Sequence, residues 1–126
     1  MKWIASFKGP EDSPFENGIF NLKIGIPDDY PLMPPKVELL TPVYHPNIQT
    51  TATQVGAKIC LDILEPHSGA WLPYMTLQKV VLCVMSLLAE PNPDNPLCPD
   101  IGKEMIRDKK RWAQKAKLWT YQHAQP

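Results

Sequence analysis

The order of patterns along this chain predicts an α+β fold, an antiparallel meander of three to four strands followed by helices. Apolar and polar residues alternate from Ile19 to Ile26, the signature of a half-buried strand. From Thr76 to Glu90 the apolar residues instead recur at helical spacing. The 15 prolines fall between these runs and not in a low-complexity tract, so the connections are long and rigid.

Trp3 to Phe7 is the first strand, broken by Gly9-Pro10. The turn-rich segment that follows ends at Asn17-Gly18, which can supply positive φ. Ile19 to Ile26 buries Phe20, Leu22, Ile24 and Ile26 on one face and pairs antiparallel with the first strand. Four prolines between Pro27 and Pro35 exclude a helix and most ladder pairing there. Val37 to Leu40 is a third strand, and Ile59 to Leu64 a short fourth. Thr41 to Lys58 has no regular period, and Gln49 to Gln54 reads as a polar surface loop. The helix over Thr76 to Glu90 has Thr76 as N-cap and Pro91 as its stop, and it places Cys83 and Met85 in or near the core. A short helix follows at about Ile101 to Asp108, then a last one from Arg111 to His123 with a Trp112, Ala116, Trp119 stripe.

The 126 residues suit one domain, 1–126. Net charge is zero, so bulk charge favours neither nucleic acid nor membrane as partner. Seven of the 13 Lys and Arg residues fall after residue 99, where the solvated face of a helix explains them. Three cysteines with no paired spacing fit a reducing compartment, and no metal-ligand spacing is present. With no signal peptide and no apolar run of ~18 residues, a cytosolic or nuclear location is expected.

Cys60 is the candidate nucleophile. It lies in Lys58-Ile59-Cys60-Leu61-Asp62, thirteen positions after the Asn that closes Tyr44-His45-Pro46-Asn47. A thiolate that attacks a carbonyl carbon needs a reachable sulfur and a donor where the oxyanion develops, and an amide near a thiol meets that need. A lone cysteine in an apolar run is more often a small buried hydrophobe, so spacing alone does not decide. A Cys–His protease dyad of His45 and Cys60 lacks an orienting third residue.

Six segments in order make the chain resemble the ubiquitin-conjugating enzymes throughout its length. They are Trp3 with Gly9-Pro10 and Asp12-Ser13-Pro14, Tyr30-Pro31-x-x-Pro34-Pro35-Lys36, Tyr44-His45-Pro46-Asn47-Ile48, Ile59-Cys60-Leu61-Asp62-Ile63-Leu64, Trp71-x-Pro73, and Pro91-Asn92-Pro93-Asp94-x-Pro96-Leu97. Gly69-Ala70-Trp71-x-Pro73 and Trp119-Thr120-x-x-His123-Ala124 look closest to the branch that acts in DNA-crosslink repair. The resemblance implies the ubiquitin-conjugating fold and an acyl carrier. Cys60 would accept ubiquitin as a thioester from an activating enzyme and pass it to a substrate lysine or a ligase cysteine. ATP is used by the activating enzyme, so no cofactor and no metal are expected. The implied partners are ubiquitin, the activating enzyme, a RING-type ligase and protein substrates. Asn47 would stabilise the oxyanion or brace the loop above Cys60, with His45 a loop brace bonded to backbone. Asp62, Asp94 and Asn95 would form the surroundings of the acceptor lysine. Leu32, Pro73 and Tyr74 would meet the ligase, and Cys98 is incidental.

Three departures from the family pattern stand out. The usual helix of a dozen or more residues before the first strand is missing, which is expected to leave an apolar patch. The Asn47-to-Cys60 interval is about five residues longer than usual, and the extra Thr50-Thr51-Ala52-Thr53-Gln54 is expected to loop outward. Asn95 stands where many active members have a carboxylate that tunes the incoming lysine, so slow discharge to free lysine is expected. The rival readings are a non-catalytic module that binds ubiquitin or a partner, a thiol hydrolase, and a carrier of another ubiquitin-like modifier.

Overall fold

The computed structural model describes residues 1–49 and 56–126. Four strands come first: β1 (Lys2–Lys8), β2 (Ile19–Gly25), β3 (Lys36–Leu39) and β4 (Ala57–Lys58). A 3₁₀ turn at Asp62–Leu64 follows, then α1 (Leu77–Ala89), α2 (Pro99–Arg107) and α3 (Lys109–His123). The sheet is an antiparallel meander in the order β1-β2-β3-β4.

Alternation in β2 sends Phe20, Leu22 and Ile24 into the core, as the period-2 pattern requires. Its partner β1 runs in register with Trp3 opposite Ile24 and Phe7 opposite Phe20. Trp3 and Ile4 stay exposed at one end of β1. The β1–β2 connection closes with Gly9 donating to the Gly18 carbonyl, and Asn17 takes the left-handed conformation (φ +70°). A side chain at Gly9 would collide with the Phe15 carbonyl, its Cβ lying 1.8 Å from that oxygen. Phe15 is thereby seated at the centre of the core, against Phe20, His45 and Trp112 at centroid distances of 5.8–6.2 Å. Full burial of each such aromatic contributes about 1.5–3 kcal/mol.

Helix α1 buries Val80, Val84 and Leu88. Its cap is Thr76, whose hydroxyl accepts from Lys79 N–H at 3.1 Å. Helices α2 and α3 share one residue as a joint. Asp108 N–H closes α2 on the Glu104 carbonyl, while its carboxylate accepts from Arg111 N–H and caps α3. That cap starts α3 two residues before the expected Arg111. The buried stripe of α3 is Trp112, Ala116 and Thr120, with Trp119 only partly buried.

The expected fourth strand over Ile59–Leu64 is a correction. Pairing is confined to Ala57–Lys58 and a single bridge between Ile48 and Ile59. Beyond Cys60 the chain turns, because Asp62 offers its own carboxylate to the Ile63 N–H at 2.8 Å and Leu64 N–H bonds back to the Leu61 carbonyl. Such local side-chain acceptors compete with a ladder. Thr50 to Gln54, expected to loop outward, lies outside the described residues.

Candidate active site

The single bridge at Ile48–Ile59 assembles the site. It brings the Tyr44–Asn47 segment beside Cys60, and Cys60 N–H donates to the Asn47 carbonyl at 2.9 Å. Thirteen residues apart in sequence, the two are thus fixed by one backbone bond. Cys60 is partly exposed at an open cleft of about 460 Å³ whose lining includes Asn47, Asp62, Glu65, Leu87, Asn92 and Asn95.

Asn47 is 2 % exposed and its side chain is fully committed. Its Oδ1 accepts from Asn92 N–H at 2.8 Å, and its Nδ2 donates to the carbonyls of Asn92 (2.9 Å) and Asn95 (3.2 Å). Both amide protons therefore hold the 91–97 loop in place.

His45 is wholly buried. Its Nδ1 accepts from Asn47 N–H at 3.0 Å, which puts the ring proton on Nε2, 2.9 Å from the Leu87 carbonyl. The Leu87 carbonyl is available for a reason legible in sequence. In a continuing helix its partner would be the N–H of residue 91, and Pro91 has none. Burial pushes the imidazole pKa down to about 4, only partly offset by the bond to Leu87. With both ring nitrogens bonded to backbone, the imidazole has no hand free for Cys60, which removes the Cys–His dyad.

Asp62 lines the cleft, exposed, with its carboxylate on the Ile63 N–H. Asn95 lines it too. Asp94 does not: it is exposed outside the lining, its N–H on Asn92 Oδ1 at 3.3 Å. Among the described residues the carboxylates that line the cleft are Asp62 and Glu65, and Glu65 also faces Lys58 Nζ at 3.8 Å. Sequence reasoning passed over Glu65, Ser68, Leu87 and Asn92. Ser68 ties the turn after Cys60 by donating to the Asp62 carbonyl at 2.6 Å. Its only sequence signal was a polar residue in a turn.

Leu32 and Tyr74 are among the most exposed apolar side chains, at 73 % and 78 %, and Pro73 is exposed beside Tyr74. The two loops are tied together, since Trp71 Nε1 donates to the Pro31 carbonyl at 2.8 Å and the Tyr30 and Trp71 rings lie 6.0 Å apart. Cys98 is half-buried, its Sγ 3.3 Å from the Ile48 carbonyl. Among the described residues no cluster of His, Cys, Asp or Glu could hold a metal, and no helix is long and apolar enough to cross a membrane.

The family model of the ubiquitin-conjugating enzymes matches residues 1–120. The chain belongs to that family. Ubiquitin-conjugating enzyme E2 T of Danio rerio is 45 % identical over 121 residues, covering 95 % of this chain and 60 % of its own length. E2 T of Xenopus laevis is also 45 % identical, over 123 residues and 62 % of its length. The chain thus spans about three-fifths of the curated relatives it matches. Among solved structures, the E2 domain of a Toxoplasma gondii ubiquitin conjugating enzyme superposes with a TM-score of 0.89 at 38 % identity, covering 98 % of this chain and 81 % of that one.

Proposed function

We propose that this family member carries ubiquitin as a thioester on Cys60 and passes it to a substrate lysine, usually with a RING-type ligase. The observation that carries this is the pairing of a partly exposed Cys60 with Asn47 at one open cleft. In the first step the Cys60 thiolate attacks the activating enzyme's thioester carbonyl, a new C–S bond forms, and the activating enzyme's thiolate leaves. In the second an amine attacks, the C–N bond forms, the amine gives up a proton, and the Cys60 thiolate leaves. A thioester is reactive enough that positioning matters more than a strong base.

Asn47 acts in this scheme by holding the 91–97 loop against the cleft. Direct contact with the oxyanion requires it to release the Asn92 or Asn95 carbonyl. Leu32, Pro73 and Tyr74, exposed on two tied loops, suit a ligase contact. The 69–73 and 119–124 segments support assignment to the crosslink-repair branch. Three free cysteines support a cytosolic or nuclear setting.

The test is charging with activating enzyme, Mg-ATP and ubiquitin. The wild type should give an adduct of one ubiquitin that reductant removes, and Cys60→Ser an oxygen ester that reductant leaves intact. Failure of the wild type to charge would instead favour a binding module, and charging only by another modifier would change the cargo.

Asn95→Asp adds a carboxylate at the cleft rim, able to attract the incoming ammonium and take up its proton. Discharge to free lysine at neutral pH should accelerate about tenfold, a small part of what a placed base supplies. An unchanged rate would show that Asp62 and Glu65 already serve, or that no carboxylate is needed.

A further inference from the structure

Next to the segment that holds Asn47 is a polar cluster that the cleft does not use. The Tyr44 hydroxyl donates to Glu104 Oε1 at 2.7 Å, and Lys115 Nζ donates to Oε2 of the same carboxylate at 2.6 Å. Arg111 Nε approaches that oxygen at 3.8 Å. The Tyr44 ring packs on Trp119 at 5.6 Å, with the Lys115 ammonium 5.8 Å from its centroid. Burial, reinforced by the Glu104 hydrogen bond and charge, pushes the Tyr44 pKa up to about 12. Burial also works against the Glu104 carboxylate, but the bonds from Lys115 and Tyr44 outweigh it and hold its pKa below the usual range. A neutral phenol and an ionised carboxylate therefore face each other across the working pH range.

Helix α2 grips the segment before Asn47 at two points. Its N-cap residue Cys98 donates to the Pro46 carbonyl at 2.9 Å, beside Leu97 at 2.8 Å, and farther along Glu104 takes Tyr44. Two separated points fix an orientation where one would leave a pivot. The same helix lies against the loop that Asn47 braces: a Cβ at Gly102 would stand 2.8 Å from Pro96 Cβ and 3.1 Å from the Pro93 carbonyl. One helix thus sets both the Asn47 segment and the 91–97 loop. The second of these points is the Tyr44–Glu104–Lys115 contact, which joins residues 60 and 11 apart in sequence.

We propose that Tyr44, locked by Glu104 and Lys115, is a positioning residue that transmits the packing of α2 and α3 to the Asn47 amide at the Cys60 cleft. The inference rests on the acyl-transfer reading and deepens it. A residue acting this way changes the rate of discharge and not the affinity for the acceptor.

The experiment uses the full chain with Tyr44→Phe, Glu104→Gln, the double variant, and Arg107→Gln as an exposed control on α2 outside the cluster. Each is charged with ubiquitin, isolated, and discharged to free lysine over a concentration series. The Asn47 side-chain NH₂ signals of the uncharged proteins are followed by NMR. Tyr44→Phe and Glu104→Gln should charge fully, shift the Asn47 signals, and lose about tenfold in limiting discharge rate, a displacement of well under 1 Å by the usual scale. The half-saturating lysine concentration should not move. The double variant should be no slower than the slower single, because both changes break one contact. Discharge within twofold of wild type in both singles, or unshifted Asn47 signals, would reduce the cluster to a structural brace and overturn the proposal. If the wild type itself does not charge, the acyl-transfer reading falls. The Asn47 signals then decide the positioning claim alone, shifted in its favour and unshifted against it.

Discussion

Asn47→Ala should leave charging of Cys60 within a few-fold of wild type while slowing discharge to lysine about 100-fold. Truncation removes three hydrogen bonds at once, to Asn92 N–H and to the Asn92 and Asn95 carbonyls. The groups left behind border an open cleft where water reaches them, so the stability loss stays near 1–3 kcal/mol. The kinetic loss, about 2.7 kcal/mol on the barrier, arises because the 91–97 loop, which carries Asn95 at the cleft, is no longer held against Cys60. Asn47→Asp sharpens the result. Its carboxylate still accepts from Asn92 N–H but turns an oxygen toward two carbonyls, so discharge should fall at least as far. Single-turnover discharge of the isolated adduct measures both. A rate within threefold of wild type in either variant would show that the brace is not rate-determining.

Stability should fall on mild acidification through His45. The folded pKa is about 4 against an ordinary 6.5. Between these values the unfolded chain holds a proton that the native ring does not, so the neutral imidazole's contribution is fully present above pH 6.5 and is lost as pH falls toward 4. About 2.5 units at ~1.4 kcal/mol each gives roughly 3 kcal/mol in all, of which about 2 are gone by pH 5. The Glu104 carboxylate has a depressed pKa, so its contribution is lost only as pH falls below the ordinary carboxylate range. The window from pH 6.5 to 5 therefore separates His45 from Glu104. Urea unfolding at pH 7.5 and pH 5 measures the difference, with His45→Gln as the variant that should flatten it. Equal loss in wild type and His45→Gln would assign the acid sensitivity elsewhere.

Much of this molecule is legible in its sequence where the determining interactions are periodic or local. The alternation of Phe20, Leu22 and Ile24 names the buried face of β2, and Thr76 with Pro91 brackets α1 to within a residue at each end. Cys60 and Asn47 stand out through their motifs, and one bridge beside them brings the two together. What escapes is non-local or too short to show a period. A two-residue β4 has no alternation to read, and the turn at Asp62–Leu64 hides in an apolar run that looks like a strand. The resemblance implies a backbone partner for His45 but not which one: the bond to Leu87 joins residues 42 apart, and the Tyr44 bond to Glu104 joins residues 60 apart. Only the missing N–H of Pro91 hinted at the first, and nothing periodic pointed to the second. Asp94 is exposed on the 91–97 loop next to Asn95, while Glu65 reaches the cleft from the turn after Cys60, a placement that no periodicity signals.

The most direct test is to locate the acyl bond. Cys60, Cys83 and Cys98 are all free and partly buried, so exposure alone does not choose among them. The chain is incubated with activating enzyme, Mg-ATP and ubiquitin, digested at mildly acidic pH to preserve the thioester, and mapped by mass spectrometry. A single reductant-sensitive ubiquitin remnant on the Cys60 peptide is the expected result. A remnant on Cys83 or Cys98, or no adduct on the wild-type chain, would contradict Cys60 as the carrier.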